Sequence, residues 1–186
     1  MNDIPLHPAI VHLPLALAIL VPFVALGVAL AVYRGKLPRW LWSGVLALQL
    51  LMVGTGYLAM QTGESDEEAV ERVVPESAIE EHEEAAEAFV WSAAALGVVF
   101  ILGVALPKAP WRSVAMAVST LGSVGVAVLA LNVGHLGGEL VYEHGAASAH
   151  ASSARTNAAR VGAAGARAPA IAGVSADCHC VSVSLN

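Results

Sequence analysis

Five of the seven histidines lie at or near one end of long apolar segments of the chain. They are His7, His12, His82, His135 and His144. Neutral imidazole is a good ligand for haem iron, copper and zinc. Ionisable side chains at the edge of an apolar helix bundle indicate a functional site. The alternative interpretation is that these histidines are only polar residues at a membrane surface.

Three glycines surround one of these histidines in the sequence Gly134-His135-Leu136-Gly137-Gly138-Glu139. Each glycine costs a helix about 1 kcal/mol relative to alanine, so the run indicates that something bulky, such as a flat macrocycle, packs against the backbone. Ordinary packing of small residues between membrane helices is the alternative. Glu139 lies four residues after His135, on the same helical face. There it would accept the second imidazole N–H or act as a hard metal ligand.

We expect two histidines, His12 and His135, to be the central ligands of a b-type haem, because both lie near the outer ends of apolar segments. The other three would supply further ligands or hydrogen bonds to the haem propionates; these are His7, His82 and His144. In the alternative interpretation His12, His135 and Glu139 hold a copper, zinc or iron ion.

A second candidate metal site lies near the end of the chain, at Cys178-His179-Cys180. This motif differs from the C-x-x-C-H of c-type haem attachment, but it offers soft ligands that suit Cu(I). The alternative is two incidental thiols in an unstructured terminus. Two cysteines are too few for a disulfide framework.

The elements that position these residues are predicted from composition. The 186 residues are 57% hydrophobic and 13% charged, whereas soluble domains are about 45–50% apolar and about 25% charged. Four apolar segments, 9–33, 40–59, 85–106 and 113–136, each reach the roughly 20 residues that cross a bilayer as a helix. We therefore predict an all-α fold, a four-helix transmembrane bundle in residues 1–145. Pro14 and Pro22 should bend or locally open the first helix.

Composition changes again at about residue 146. From there to residue 186 alanine, glycine and serine dominate without an apolar period, which predicts a flexible C-terminal tail. The net charge of −6 gives no support for nucleic-acid binding.

Basic residues predict the orientation of the bundle. The first and third loops carry them, whereas the second loop and its flanks, residues 64–87, hold eleven acidic residues. The positive-inside rule places the basic loops in the cytoplasm and both termini in the periplasm of a bacterial inner membrane. Three tryptophans beside the basic loops are expected to form an aromatic belt; they are Trp40, Trp42 and Trp111.

Two motifs carry a resemblance to a known family. The opening His7-Pro8-Ala9-Ile10-Val11-His12-Leu13-Pro14 resembles H-P-x-x-V-H-F-P, the opening motif of a bacterial membrane family catalogued as domain of unknown function 2231. Residues 134–145 are similar to its closing motif, G-H-x-G-G-x-x-V-Y-x-H-G, and His82-Glu83 matches its internal histidine. Leu13 replaces the usual phenylalanine. The resemblance implies four helices over residues 3–145, and relatives joined to cytochrome c-like domains imply electron transfer.

Three functions are compatible with these features. In the first, a haem b protein passes electrons between a membrane donor such as quinol and a periplasmic acceptor such as a cytochrome. In the second, the protein binds copper, zinc or iron, which the acidic loop gathers electrostatically. In the third, it is a non-catalytic membrane anchor or assembly partner. A homo-oligomer is compatible with all three.

Overall fold

The computed structural model describes residues 6–146 and Ser148, although not the side chains of Leu6, Pro8 and residues 65–69. This part of the chain contains five α-helices and the 3-10 turn Arg39–Leu41. The helices are α1 (Leu6–Ile10), α2 (His12–Tyr33), α3 (Trp42–Val70), α4 (Glu76–Ala105) and α5 (Ala109–Tyr142). Of these, α2 to α5 are long and apolar enough to cross a membrane, which confirms the all-α, four-helix prediction.

The predicted tail, residues 146–186, lies outside the described residues apart from Ala146 and Ser148. The same holds for the candidate soft-metal motif Cys178-His179-Cys180.

Three helices are longer than the apolar segments that predicted them. They comprise 29 residues in α3, 30 in α4 and 34 in α5. At about 1.5 Å per residue, each exceeds the roughly 30 Å of a hydrocarbon core. Most of the added turns extend the C-terminal ends of α3 and α5 and the N-terminal end of α4. They therefore lie together at one end of the bundle. We call this end the histidine end, and we call the opposite end, with the loops at 34–41 and 106–108, the basic end.

A break at Val11 separates α1 from α2. Pro14 has no N–H, and a proline ring clashes with the carbonyl four residues earlier, which here belongs to Ile10. The helix therefore ends at Ile10 and begins again at His12. Because of this break α1 packs against α3 as well as against α2. The short helix thus carries His7 over the histidine end of the bundle.

The four long helices pack in a ring, each against its neighbours in the order α2, α3, α4, α5 and back to α2. Two apolar clusters fill the interior. The cluster nearer the histidine end includes Leu17, Met52, Phe89, Ala93 and Val126. The cluster nearer the basic end consists of Val21, Ala25, Trp42, Val45, Phe100 and Met116.

Trp42 belongs to the core, so the prediction that it joins an aromatic belt is wrong. Its side chain is only 1% exposed and stacks on Phe100 with ring centroids 5.4 Å apart. Its indole Nε1 donates a hydrogen bond to the Phe100 carbonyl oxygen at 3.3 Å. Trp40 and Trp111 are exposed, as a belt requires. Trp40 lies in the 3-10 turn, whereas Trp42 begins α3 and faces the bundle.

Candidate functional site

Two histidines from different helices meet at the histidine end. His7 of α1 and His82 of α4 have ring centroids 6.5 Å apart, with the ring planes nearly perpendicular at 87°. Both side chains are partly buried. Val74 and Ile79 are buried at the same end, where the chain passes from α3 into α4. The structure therefore brings the two imidazoles together at the histidine end.

A backbone carbonyl of α3 fixes His7. The ring atom Nδ1 lies 2.8 Å from the Ala59 carbonyl oxygen, to which it donates a hydrogen bond. A carbonyl oxygen can only accept, so the neutral ring carries its proton on Nδ1 and its lone pair on Nε2. Gly63, one turn further along α3, gives the ring room, since a Cβ there would lie 3.3 Å from the ring.

His82 lies against α5, with its ring close to the backbone of Val133. Its Nδ1 is buried and has no hydrogen-bond partner among the described residues. Gly137, one turn from Val133, makes space for the ring, because a Cβ at that position would lie 3.1 Å from the Cε1 atom of His82. Each histidine therefore packs on a glycine of a neighbouring helix, and His7 also donates to a backbone carbonyl.

The glycines near His135 pack against side chains at two of their three positions. Gly137 faces the ring of His82, and Gly134 lies near the side chain of Leu15. A Cβ on Gly138 would meet no other atom within 4 Å. The packing of a histidine ring therefore accounts for Gly137 without a macrocycle, whereas the contact at Gly134, at 3.9 Å, does not require a glycine.

The two histidines predicted as central ligands, His12 and His135, are both exposed and lie outside the His7–His82 pair. His135 is 71% exposed, and its Nε2 lies 3.2 Å from a carboxylate oxygen of Glu139. This contact follows from the spacing of four residues, which places both side chains on one face of α5. Among the described side chains, no group of three or more His, Cys, Asp or Glu residues could hold a metal ion. The structure thus does not assemble a site from His12, His135 and Glu139.

His144 follows the end of α5, because the helix continues through Gly137 and Gly138 to Tyr142. Its side chain is partly buried. The chain turns at Gly145, whose φ of 72° is left-handed and suits a glycine. The amide of Ala146 then donates to the Leu140 carbonyl oxygen at 2.9 Å, which closes the helix end.

The His7–His82 pair offers two imidazole ligands to one metal centre. Zinc takes three or four protein ligands, whereas haem iron needs only axial ligands from the protein. The ring centroids lie 6.5 Å apart, so the two rings would hold one metal centre between α1 and α4. The ligand atoms would be Nδ1 of His82, which has no hydrogen-bond partner among the described residues, and Nε2 of His7, because Nδ1 of His7 donates to Ala59.

Sequence reasoning missed the supporting residues of this pair. Ala59 acts through its backbone carbonyl, which no side-chain pattern reveals. Gly63 could have been singled out in the sequence, because it is a glycine between an apolar segment and the acidic residues.

Comparison with known proteins agrees with the two sequence motifs. A family model described as predicted membrane protein (DUF2231) matches residues 3–150, which is most of the chain. No curated protein and no solved structure matches the chain. The matched residues include both motifs and the helices α1 to α5. The chain therefore belongs to the DUF2231 family of membrane proteins.

Proposed function

We propose that this membrane protein binds haem b and transfers electrons, with His7 and His82 as the ligands of the iron. The observation that carries the proposal is the pair itself, two imidazoles 6.5 Å apart. The described part of the chain brings two such ligands together rather than the three or four that a zinc site requires. The pair differs from His12 and His135, which the sequence favoured, because those two side chains are exposed.

Groups of the protein would orient the histidine ligands and raise their basicity. The Ala59 carbonyl holds His7 in one tautomer, and such outer hydrogen bonds orient a ligand and raise its basicity. Haem, when bound, supplies reversible one-electron chemistry. A centre at the end of the bundle suits exchange of electrons between a quinol in the bilayer and a periplasmic cytochrome.

An absorption spectrum of the wild-type protein tests the proposal. The full chain is purified in mild detergent from haem-sufficient bacterial membranes, and haem and metals are both quantified. We expect a Soret band and near-equimolar haem. Equimolar copper or zinc without haem would contradict the proposal and favour a metal-ion site. Absence of both would favour an anchor or assembly partner.

Gly137→Ala should weaken haem retention, because a Cβ 3.1 Å from His82 forces the ring to shift. Disturbing the support of a ligand typically lowers affinity by about tenfold or more. Transfer of haem to apomyoglobin measures the loss rate. The matched control is Gly138→Ala, the next residue, where a Cβ meets nothing within 4 Å. Equal loss rates in the two variants would show that the support of His82 by α5 does not matter.

We further propose that the protein lies in the bacterial inner membrane with its histidine end in the periplasm. The proposal rests on basic residues in the loops at the other end, among them Arg34 and Lys108. Alkaline phosphatase fused after Gly35 should be inactive, whereas a fusion after Glu68 should be active. The reverse pattern would invert the orientation and place the histidines in the cytoplasm.

A further inference from the structure

Gln49 of α3 carries a buried oxygen that has no partner. Its side chain is 0% exposed, and its Nε2 donates a hydrogen bond to the Ala93 carbonyl oxygen of α4 at 2.8 Å. Because that nitrogen faces a carbonyl, the amide orientation is fixed. Its Oε1 is then left buried without a hydrogen-bond partner among the described residues. Such groups are rare in native proteins and call for a specific explanation.

Three hydroxyl groups of α5 are also buried inside the bundle. Each donates to a carbonyl oxygen of its own helix: Ser119 to Ala115 at 2.8 Å, Thr120 to Met116 at 2.8 Å and Ser123 to Thr120 at 2.7 Å. Because each hydroxyl proton is already donated, the hydroxyl oxygens can only accept a further hydrogen bond. We call Gln49 Oε1 and these three oxygens the polar layer.

The helix register places this layer between the two apolar clusters. Gln49 lies seven residues along α3 from Trp42, and Ser123 lies seven residues along α5 from Met116. Trp42 and Met116 belong to the same cluster, near the basic end. At about 1.5 Å per residue, Gln49 lies about 10 Å beyond Trp42 and Ser123 about 10 Å beyond Met116, so both are at a similar depth in the bundle. The layer is well inside the apolar length of the bundle.

Open space adjoins the layer at Gly97 of α4. Gly97 is buried, yet a Cβ built on it would meet no other heavy atom within 4 Å. It lies one turn from Ala93, the residue whose carbonyl Gln49 contacts, and on the same helical face. A polar layer with an unpartnered acceptor and adjoining space meets the conditions for a buried water.

We infer that a water molecule binds in this space inside the bundle and donates a hydrogen bond to Gln49 Oε1. Its second proton has the lone pairs of the α5 hydroxyls as acceptors. A monovalent cation would use the same oxygens. However, no acidic side chain belongs to the layer among the described residues to balance its charge, and an unbalanced charge at this depth is costly.

Radiolytic labelling in ¹⁸O-water tests this inference on the full-length protein. X-rays convert a bound water into a hydroxyl radical, which oxidises methionine beside it. Met52 lies three residues from Gln49 and is only 1% exposed, so bulk radicals do not reach it. We expect Met52 to gain label in the wild type and to lose this labelling in Gln49→Leu and in Gly97→Ala.

The control variant is Gly125→Ala, which adds the same methyl group on an exposed face of α5 where no atom lies within 4 Å. It should keep the wild-type labelling. Gly97→Ala adds its methyl to open space, so the test remains available if Gln49→Leu does not fold. Unlabelled Met52 in the wild type, or labelling unchanged in both variants, would overturn the inference. Labelling that changes when sodium and potassium are replaced by choline would instead assign the space to a cation.

Discussion

His82→Ala and His7→Ala should each abolish the haem spectrum of the purified protein. Either change removes one of the two imidazoles at the histidine end, which lie 6.5 Å apart. It also leaves the remaining histidine as a single ligand. Loss of a ligand is expected to exceed the roughly 10–100-fold effect of losing an outer hydrogen bond. The measurement is the Soret absorbance per protein, with circular dichroism and gel filtration to show that the helices and the assembly persist.

The chain provides matched controls for this prediction in His12 and His135. Both are exposed histidines at the same end of the bundle, and His12 follows the break that places His7. His12→Ala and His135→Ala should therefore keep the spectrum. If these two variants lose haem while His7→Ala and His82→Ala retain it, the ligand pair is the one favoured by the sequence. If all four retain it, none of these histidines is an essential ligand.

Gly103→Ala should strongly destabilise the basic end of the bundle. A Cβ at this position would lie 2.5 Å from Nε1 of Trp42. The indole cannot shift without losing contacts, because it is buried, stacks on Phe100 and donates a hydrogen bond to the Phe100 carbonyl. Overpacking of this kind typically costs about 1–3 kcal/mol. In a chain of this size that corresponds to a decrease in Tm of roughly 5 °C.

Thermal unfolding in detergent, followed by circular dichroism, measures this effect. Gly44→Ala is the control, since it lies two residues from Trp42 on α3 and a Cβ there meets nothing within 4 Å. The control should unfold at or slightly above the wild-type temperature, because alanine favours a helix over glycine. Equal unfolding temperatures for the two variants would show that Trp42 is not confined as described.

The four long helices could be predicted because hydropathy depends only on local composition. Their added turns could not, because the polar residues beyond the bilayer give no hydropathy signal, although glutamate and alanine favour helix. α4 accordingly begins at Glu76 rather than near residue 85. The prediction that Trp42 joins an aromatic belt was wrong for a related reason. Proximity to a basic loop describes position along the membrane normal, whereas burial depends on how the helix is rotated toward its neighbours.

The sequence predicts that the histidines lie at one end of the bundle, because the order and direction of the helices place them there. It does not predict which two histidines contact each other, because that depends on how the helices pack. Pro14 breaks the first helix, and only this break lets α1 carry His7 toward α3. His82 looks like a solvated residue among glutamates in the sequence, yet its ring lies against Gly137 of α5. Gln49 could have been identified as a candidate buried polar residue, because it is an amide within an apolar segment.

Near-infrared magnetic circular dichroism of the oxidised wild-type protein tests most directly whether His7 and His82 ligate a haem iron. The charge-transfer band in this region identifies the two axial ligands. We predict the band of two neutral imidazoles in the wild type, in His12→Ala and in His135→Ala, and its loss in His7→Ala and in His82→Ala. A band for any other ligand pair in the wild type, or a bis-imidazole band that persists without His7 and His82, would contradict the account.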